Sequence, residues 1–268
     1  MSPSPLRVGT AGWGVPSRYV AEIPRIGSHL ERYARVLNAV EINTSFYRPH
    51  RLKTYERWAE STPSGFRFSV KMPKAMTHDR RLSDCRALLD RFVAEVAGLG
   101  DKLGVLLVQL PPKLALERRV AGRFFRGLQR RLPVPIVCEP RHASWFAPGV
   151  DKWLAERSIA RVAADPAPVP GAGEPGGWSG LAYYRWHGSP RIYYSDYEDA
   201  ALTELGRRLD SHRKRDTLTW CIFDNTAEGA ALGNALAIAA REAEVPALTP
   251  ALGSASMSPR ECPKSSAR

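Results

Sequence analysis

Cysteine is scarce in this chain, 4 in 268 residues, and Cys85, Cys138, Cys221 and Cys262 stand far apart with no CxxC pair. That spacing excludes both a disulfide framework and a zinc module. Cys138 and Cys221 fall inside apolar runs and read as small buried hydrophobes. Long apolar runs are also missing. No stretch approaches the roughly 18 consecutive residues of a membrane span, so no membrane partner is expected. The opening MSPSPLRVGTAGWG has no basic segment ahead of an apolar one, which makes a cytoplasmic location the default expectation. No GxGxxG follows the first apolar run, so the dinucleotide fingerprint of a doubly wound sheet is absent. No internal repeat is evident.

Acidic residues are outnumbered, 27 Asp and Glu against 39 Lys and Arg, for a net charge of +12. Much of the excess sits on two helix-like segments, Arg118, Arg119, Arg123, Arg126, Arg130 and Arg131 in one, Arg207, Arg208, Arg213, Lys214 and Arg215 in the other. Two readings follow: a solubilising surface, or affinity for nucleic acid or phosphate esters.

Eight apolar runs of strand length recur at 6–13, 39–47, 66–73, 103–111, 135–141, 159–167, 181–188 and 217–225, each bounded by Pro, Gly or charge. Helical patterns fill most of the intervals. Leu88, Leu89, Phe92, Val93, Val96 and Leu99 form one apolar face, and Tyr197, Leu202, Leu205 and Leu209 form another. Ser195-x-x-Glu198 and Asn225-x-x-Glu228 fit capping boxes ahead of the last two helices. Strands alternating with helices about eight times predict an α/β protein with a single (β/α)8 TIM-type barrel over residues 1–245, irregular after strand six. The Pro/Gly-rich segment 166–180 reads as an irregular loop, and the Ser/Pro/Ala-rich stretch 246–268 as a disordered tail.

Near the ends of the strands one face turns polar. Glu41 and Asn43 alternate with Val40 and Ile42, and Arg67, Ser69 and Lys71 alternate with Phe66, Phe68, Val70 and Met72. Gln109 closes the fourth run. Glu139 and Arg141 share a face of the fifth, Arg161 and Asp165 of the sixth, Arg185 and His187 of the seventh, and Asp224 and Asn225 end the eighth. Unpartnered buried charges are costly, so these groups are either ion pairs filling the lumen or a site at the C-terminal mouth. Glu139, Asp165, His187 and Asp224 are of a type to hold a divalent ion. Against that, each cation about 4 Å from such an ion costs roughly 4 kcal/mol at an effective dielectric of about 20. The interleaved Lys71, Arg141 and Arg185 therefore favour an anionic small-molecule substrate over a metal, and no cofactor is implied. His187 is the candidate for proton transfer, with Glu41 or Glu139 as its carboxylate counterpart and Asp224 beside them. Lys74 and His78, in the polar loop KAMTHDRRL, are candidates for the rim. Trp13, Phe46, Tyr47, Trp145 and Trp186 gather at the same strand ends, either as core or as walls that stack a base or sugar.

The motifs VGTAGW (8–13), EINTSFYR (41–48), FSVKMPKAMTH (68–78), VQLPP (108–112), EPRHASWF (139–146), RWHGS (185–189) and FDNTAEGAALGNA (223–235), in this order, resemble the YecE-like family, a bacterial domain of unknown function. The resemblance covers about residues 6–240 and implies a TIM-type barrel. It implies Glu41, Asn43, Lys71, Glu139, Arg141, Arg185, His187, Asp224 and Asn225 as signature positions, and brings no reaction with it. Three functions then compete. The first is hydrolysis or elimination on a phosphorylated or nucleotide-like substrate, with Glu41, Glu139, His187 and Asp224 catalytic. In that reading Asn43, Tyr47, Lys71, Lys74, Arg141, Trp145, Arg185 and Asn225 bind substrate. The second is a metal-dependent phosphoesterase or sugar isomerase. The third is a non-catalytic nucleic-acid binder.

Overall fold

All eight apolar runs form strands in the computed structural model, which describes residues 6–244. The tail expected over 246–268 lies outside the described residues. Strands β1 (Leu6–Thr10), β2 (Ala39–Ile42), β3 (Arg67–Lys71), β4 (Leu103–Gln109) and β5 (Ile136–Glu139) come first. The sixth run divides into β6 (Ile159–Arg161) and β7 (Ala163–Asp165), and β8 (Gly176–Gly177), β9 (Leu181–Trp186) and β10 (Leu218–Phe223) follow. Helices α1 (His29–Tyr33), α2 (Leu52–Glu60), α3 (Arg86–Val96), α4 (Arg118–Gln129), α5 (Val150–Ala155), α6 (Asp199–Arg213) and α7 (Ala230–Glu244) lie between and after them. Each longer helix buries the stripe its periodicity dictates. In α4, Ala121, Phe124, Phe125 and Leu128 face the sheet while Arg119, Arg123, Arg126 and Arg130 face out.

The fold is α/β, but the expected hydrogen-bonded closure into a barrel is not what the strands form. They make two sheets, a four-stranded one in the order β1-β10-β9-β7 and a six-stranded one in the order β2-β3-β4-β5-β6-β8. Every strand pair is parallel except β6–β8.

Both interruptions have a local cause. Between β1 and β2, side chains stand in for the ladder. The Val8 N–H donates to Asn38 Oδ1 (2.9 Å), Asn38 Nδ2 donates to the Leu6 carbonyl (2.8 Å), and the Thr10 N–H donates to the Tyr33 hydroxyl (2.8 Å). That hydroxyl in turn donates to the Ala39 carbonyl (3.0 Å). One backbone bridge, Ala11–Glu41, survives beyond them. The strands pass so closely that a Cβ on Gly9 would lie 2.1 Å from the Ala39 carbonyl oxygen, so this position requires glycine. At the other seam the sixth run changes sheets, β6 pairing with β5 and β7 with β9. The segment read as an irregular loop supplies β8, which takes the edge of β6 that a closed ladder would give to β9. Its Trp178 N–H donates to the Ile159 carbonyl (2.9 Å).

The predicted capping boxes differ as well. The Ser195 hydroxyl accepts from Arg191 N–H instead of capping α6, whose N-cap is Glu198. A capping box does form at Ser28 and Glu31, ahead of α1.

Inward side chains stack in layers along the strands. Trp220 and Tyr183, stacked at 6.0 Å, lie with Val105, Leu107, Val137 and Ala160 in an apolar plug. Two residues further along the same faces the lining becomes charged: Arg185 follows Tyr183, Glu139 follows Val137 and Asp224 follows Ile222.

Candidate active site

Arg185 is the hub of the charged layer and is wholly buried. Its Nε and Nη2 grip both oxygens of Glu41 at 3.0 and 2.8 Å, its Nη1 reaches Glu139 Oε2 at 3.3 Å, and Nη2 lies 2.9 Å from Asp224 Oδ2. A planar guanidinium with five N–H donors suits three carboxylates in a way an ammonium would not. Burial opposes its charge, but Asp224, Glu41 and Glu139 outweigh that and raise its pKa well above the ordinary value. Beneath it the Tyr183 hydroxyl sits 3.2 Å from Glu41 Oε2 and 2.9 Å from Ser69 Oγ.

His187 lies between two of the same carboxylates. Nδ1 is 3.0 Å from Asp224 Oδ2 and Nε2 is 3.1 Å from Glu139 Oε1. A neutral imidazole has one N–H, and two carboxylate acceptors call for two, so the geometry selects the imidazolium. Burial and the Arg185 guanidinium, with Nη1 3.3 Å from Nδ1, work against that charge, but Glu139 and Asp224 prevail, raising the pKa above 6.5. The partners move the other way. Burial alone would raise them, yet Arg185 and His187 hold Glu139 well below its ordinary range and lower Asp224 too. Glu139 Oε1 also accepts from Gln109 Nε2 (3.0 Å) and Arg141 Nη2 (3.2 Å), which leaves Oε2 to Arg185 alone.

Two cations complete the layer. Arg141 is partly exposed at the rim. Lys71 is 5% exposed and holds its ammonium 4.3 Å above the Phe46 ring, with no hydrogen bond from Nζ to any described residue. Burial, with Arg185 adding to it, lowers the Lys71 pKa to about 8 against the pull of Glu41, Glu139 and Asp224. Three carboxylates thus face two guanidiniums, an imidazolium and an ammonium, −3 against +4, which leaves room for one anion.

The structure thus brings together Glu41, Lys71, Glu139, Arg141, Arg185, His187 and Asp224. Asn43, just past β2, has a buried Oδ1 with no hydrogen-bond partner among the described residues. The remaining expected residues stand elsewhere. Trp145 is core, its indole N–H donating to the Leu114 carbonyl (3.0 Å). Asn225 is fully buried and clasps the Ser195 carbonyl and Asn234, so it fastens a loop and does not face the cluster. Tyr47 is 74% exposed, and Lys74 pairs with Asp79 on the surface. Both line a separate cavity of about 360 Å³ beside Phe46. Arg161 pairs with Asp151 and lies over Phe146, outside the lumen.

Of the four residues weighed as metal ligands, Asp165 is drawn off by the Tyr197 hydroxyl at 2.8 Å. Glu139 and Asp224 turn their lone pairs to Arg185 and His187, and the His187 imidazolium has none left for a metal. Two contributors escaped the sequence reading. Tyr183 was legible, being two residues before Arg185 on the same face of β9. Tyr193, edge-on to His187 at 6.0 Å, was not, because it reaches the site through a left-handed turn (φ 73°) in a loop without periodicity.

The fold and cluster define an α/β protein with a buried acid–base network at the C-terminal ends of its strands. Residues 7–255 match the model of the family described as "Protein of unknown function DUF72", and the chain belongs to that family. It is 31% identical over 169 residues to the UPF0759 protein YecE of Escherichia coli K12, 60% of either chain. It is also 26% identical over 148 residues to the UPF0759 protein YunF of Bacillus subtilis 168, 53% of this chain and 52% of the relative. These matches span about 60% or less of the curated relatives' length. Among solved structures, a DUF72 family protein of Enterococcus faecalis V583 superposes with TM-score 0.73 at 20% identity, covering 91% of this chain and 99% of that one. One from Thermotoga maritima MSB8 gives 0.72 at 23%, covering 89% and 99%. Both likenesses concern the fold.

Proposed function

We propose that this protein is an enzyme that breaks a bond to a phosphorylated or similarly anionic small-molecule substrate, by hydrolysis or elimination, at the mouth formed by the strand ends. In this reading the two sheets are an interrupted TIM-type barrel, supported by nine parallel strands, from eight apolar runs, whose inward faces become charged toward one end. The observation that carries it is His187, whose two ring nitrogens both meet carboxylates and which is therefore a held proton donor. Arg141 and the unbonded ammonium of Lys71 receive the anion, and His187 protonates the departing oxygen. Glu41, Glu139 and Asp224 are too fully engaged to serve as the base; they position Arg185 and keep His187 charged. Lys71, its pKa lowered to about 8, stays the ammonium that holds the anion. The attacking water passes its proton to the phosphoryl oxygens as the bond to the departing oxygen breaks, which balances the proton given by His187.

The test is release of inorganic phosphate from a panel of phosphate monoesters, p-nitrophenyl phosphate included. His187→Ala should lower turnover about 10²–10⁴-fold, and Glu139→Gln should lower it too by freeing the imidazolium. Turnover that survives both substitutions overturns the assignment.

A further inference from the structure

The sequence carries more arginine on its outer helices than the candidate active site uses. A groove of about 690 Å³ runs between α3 and α4, and five arginines line it: Arg86 from α3, and Arg119, Arg123, Arg130 and Arg131 from α4 and its end. Arg131 is tied to Asp90 at 2.7 Å, and Arg119 stands 3.9 Å from Glu117. Arg86, Arg123 and Arg130 are exposed and make no hydrogen bond or close ion pair with any described residue, though the charge of Arg86 acts on Asp90 one turn along α3. Asp84 is the one carboxylate in the lining. Leu82, Leu89 and Phe124 form an apolar floor that carries the arginine stems and leaves the guanidiniums facing out.

The spacing distinguishes this groove from an ordinary solvated face. Positions 119, 123 and 130 repeat at four and seven residues, which puts them on one side of α4. At about 1.5 Å per residue they extend over roughly 16 Å. That is longer than a single phosphate ester and comparable to several successive phosphates, since duplex DNA carries one charge per about 1.7 Å of axis. We propose that the α3–α4 groove binds the phosphodiester backbone of a nucleic acid, independently of the chemistry at His187.

The experiment uses the full-length protein and a fluorescently labelled 20-base-pair DNA duplex, with anisotropy followed from 50 to 200 mM salt. Three to four neutralised phosphates predict a slope of log K against log[salt] of about −3 to −4. Reversing Arg86, Arg123 and Arg130 together to glutamate should weaken binding at least tenfold and flatten the slope, with the thermal melt unchanged. A control reversal of Arg25, Lys53 and Lys152 applies the same charge change elsewhere. Equal loss in the control would show that overall charge is responsible and overturn the proposal. So would full competition by 5′-AMP, which would mark a mononucleotide pocket, and so would absence of binding at 50 mM salt. Because the groove shares no residue with the charged layer, failure here leaves the enzymatic reading standing, and the converse holds.

Discussion

His187 is where burial and charge pull hardest against each other. Its folded pKa is raised above the 6.5 of the free side chain, so protonation favours the native state. The stability it contributes is fully present below about pH 6.5 and is lost as pH climbs through the elevated folded value. Replacing it with Gln removes the titration. The difference in melting temperature between wild type and His187→Gln should therefore shrink as pH rises above about 6.5. A difference that stays constant from acid to alkaline pH would show that the imidazole titrates alike in the folded and the unfolded chain. Lys71 titrates alongside but is common to both proteins, so subtraction isolates the histidine.

At the scale of elements, β1 and β2 are joined by side chains where most neighbours in the fold are joined by backbone. Tyr33→Phe leaves the Thr10 N–H and the Ala39 carbonyl without their buried partner and should cost about 1–3 kcal/mol, read from chemical denaturation. A cost near zero would mean that the strands relax into an ordinary ladder. The strands themselves were legible because alternation and length are local properties: 66–73 announces β3 and its inward Ser69 and Lys71 without help from the rest of the chain. The seams were not. Nothing in the spacing of Tyr33 or Asn38 marks them as substitutes for a ladder, and Gly176 and Gly177 carry no alternation from which β8 could be read. The site followed the same rule. Glu41, Glu139, Arg185 and Asp224 could be placed by parity along their strands, whereas Trp145, at the mouth by position, is turned inward by a bond to Leu114 that parity does not foresee.

For the whole molecule, the charged layer links the two sheets. Glu41, Lys71 and Glu139 belong to the six-stranded sheet, and Arg185, with His187 just past β9 and Asp224 just past β10, to the four-stranded one. The ion pairs of Arg185 with Glu41 and Glu139 therefore cross from one sheet to the other, over the apolar plug. Arg185→Met should cost about 3–5 kcal/mol by stranding buried carboxylates. Adding Glu41→Gln should restore part of the loss, a non-additivity that denaturation of the single and double variants would reveal. The pairing of β1 with β10, Leu6 opposite Thr219, bears on how the chain is made. β1 is synthesised well before β10, so its ladder must wait for a strand more than two hundred residues later. Throughout translation its nearest available partners are Asn38 and Tyr33, a provisional fastening within the first forty residues.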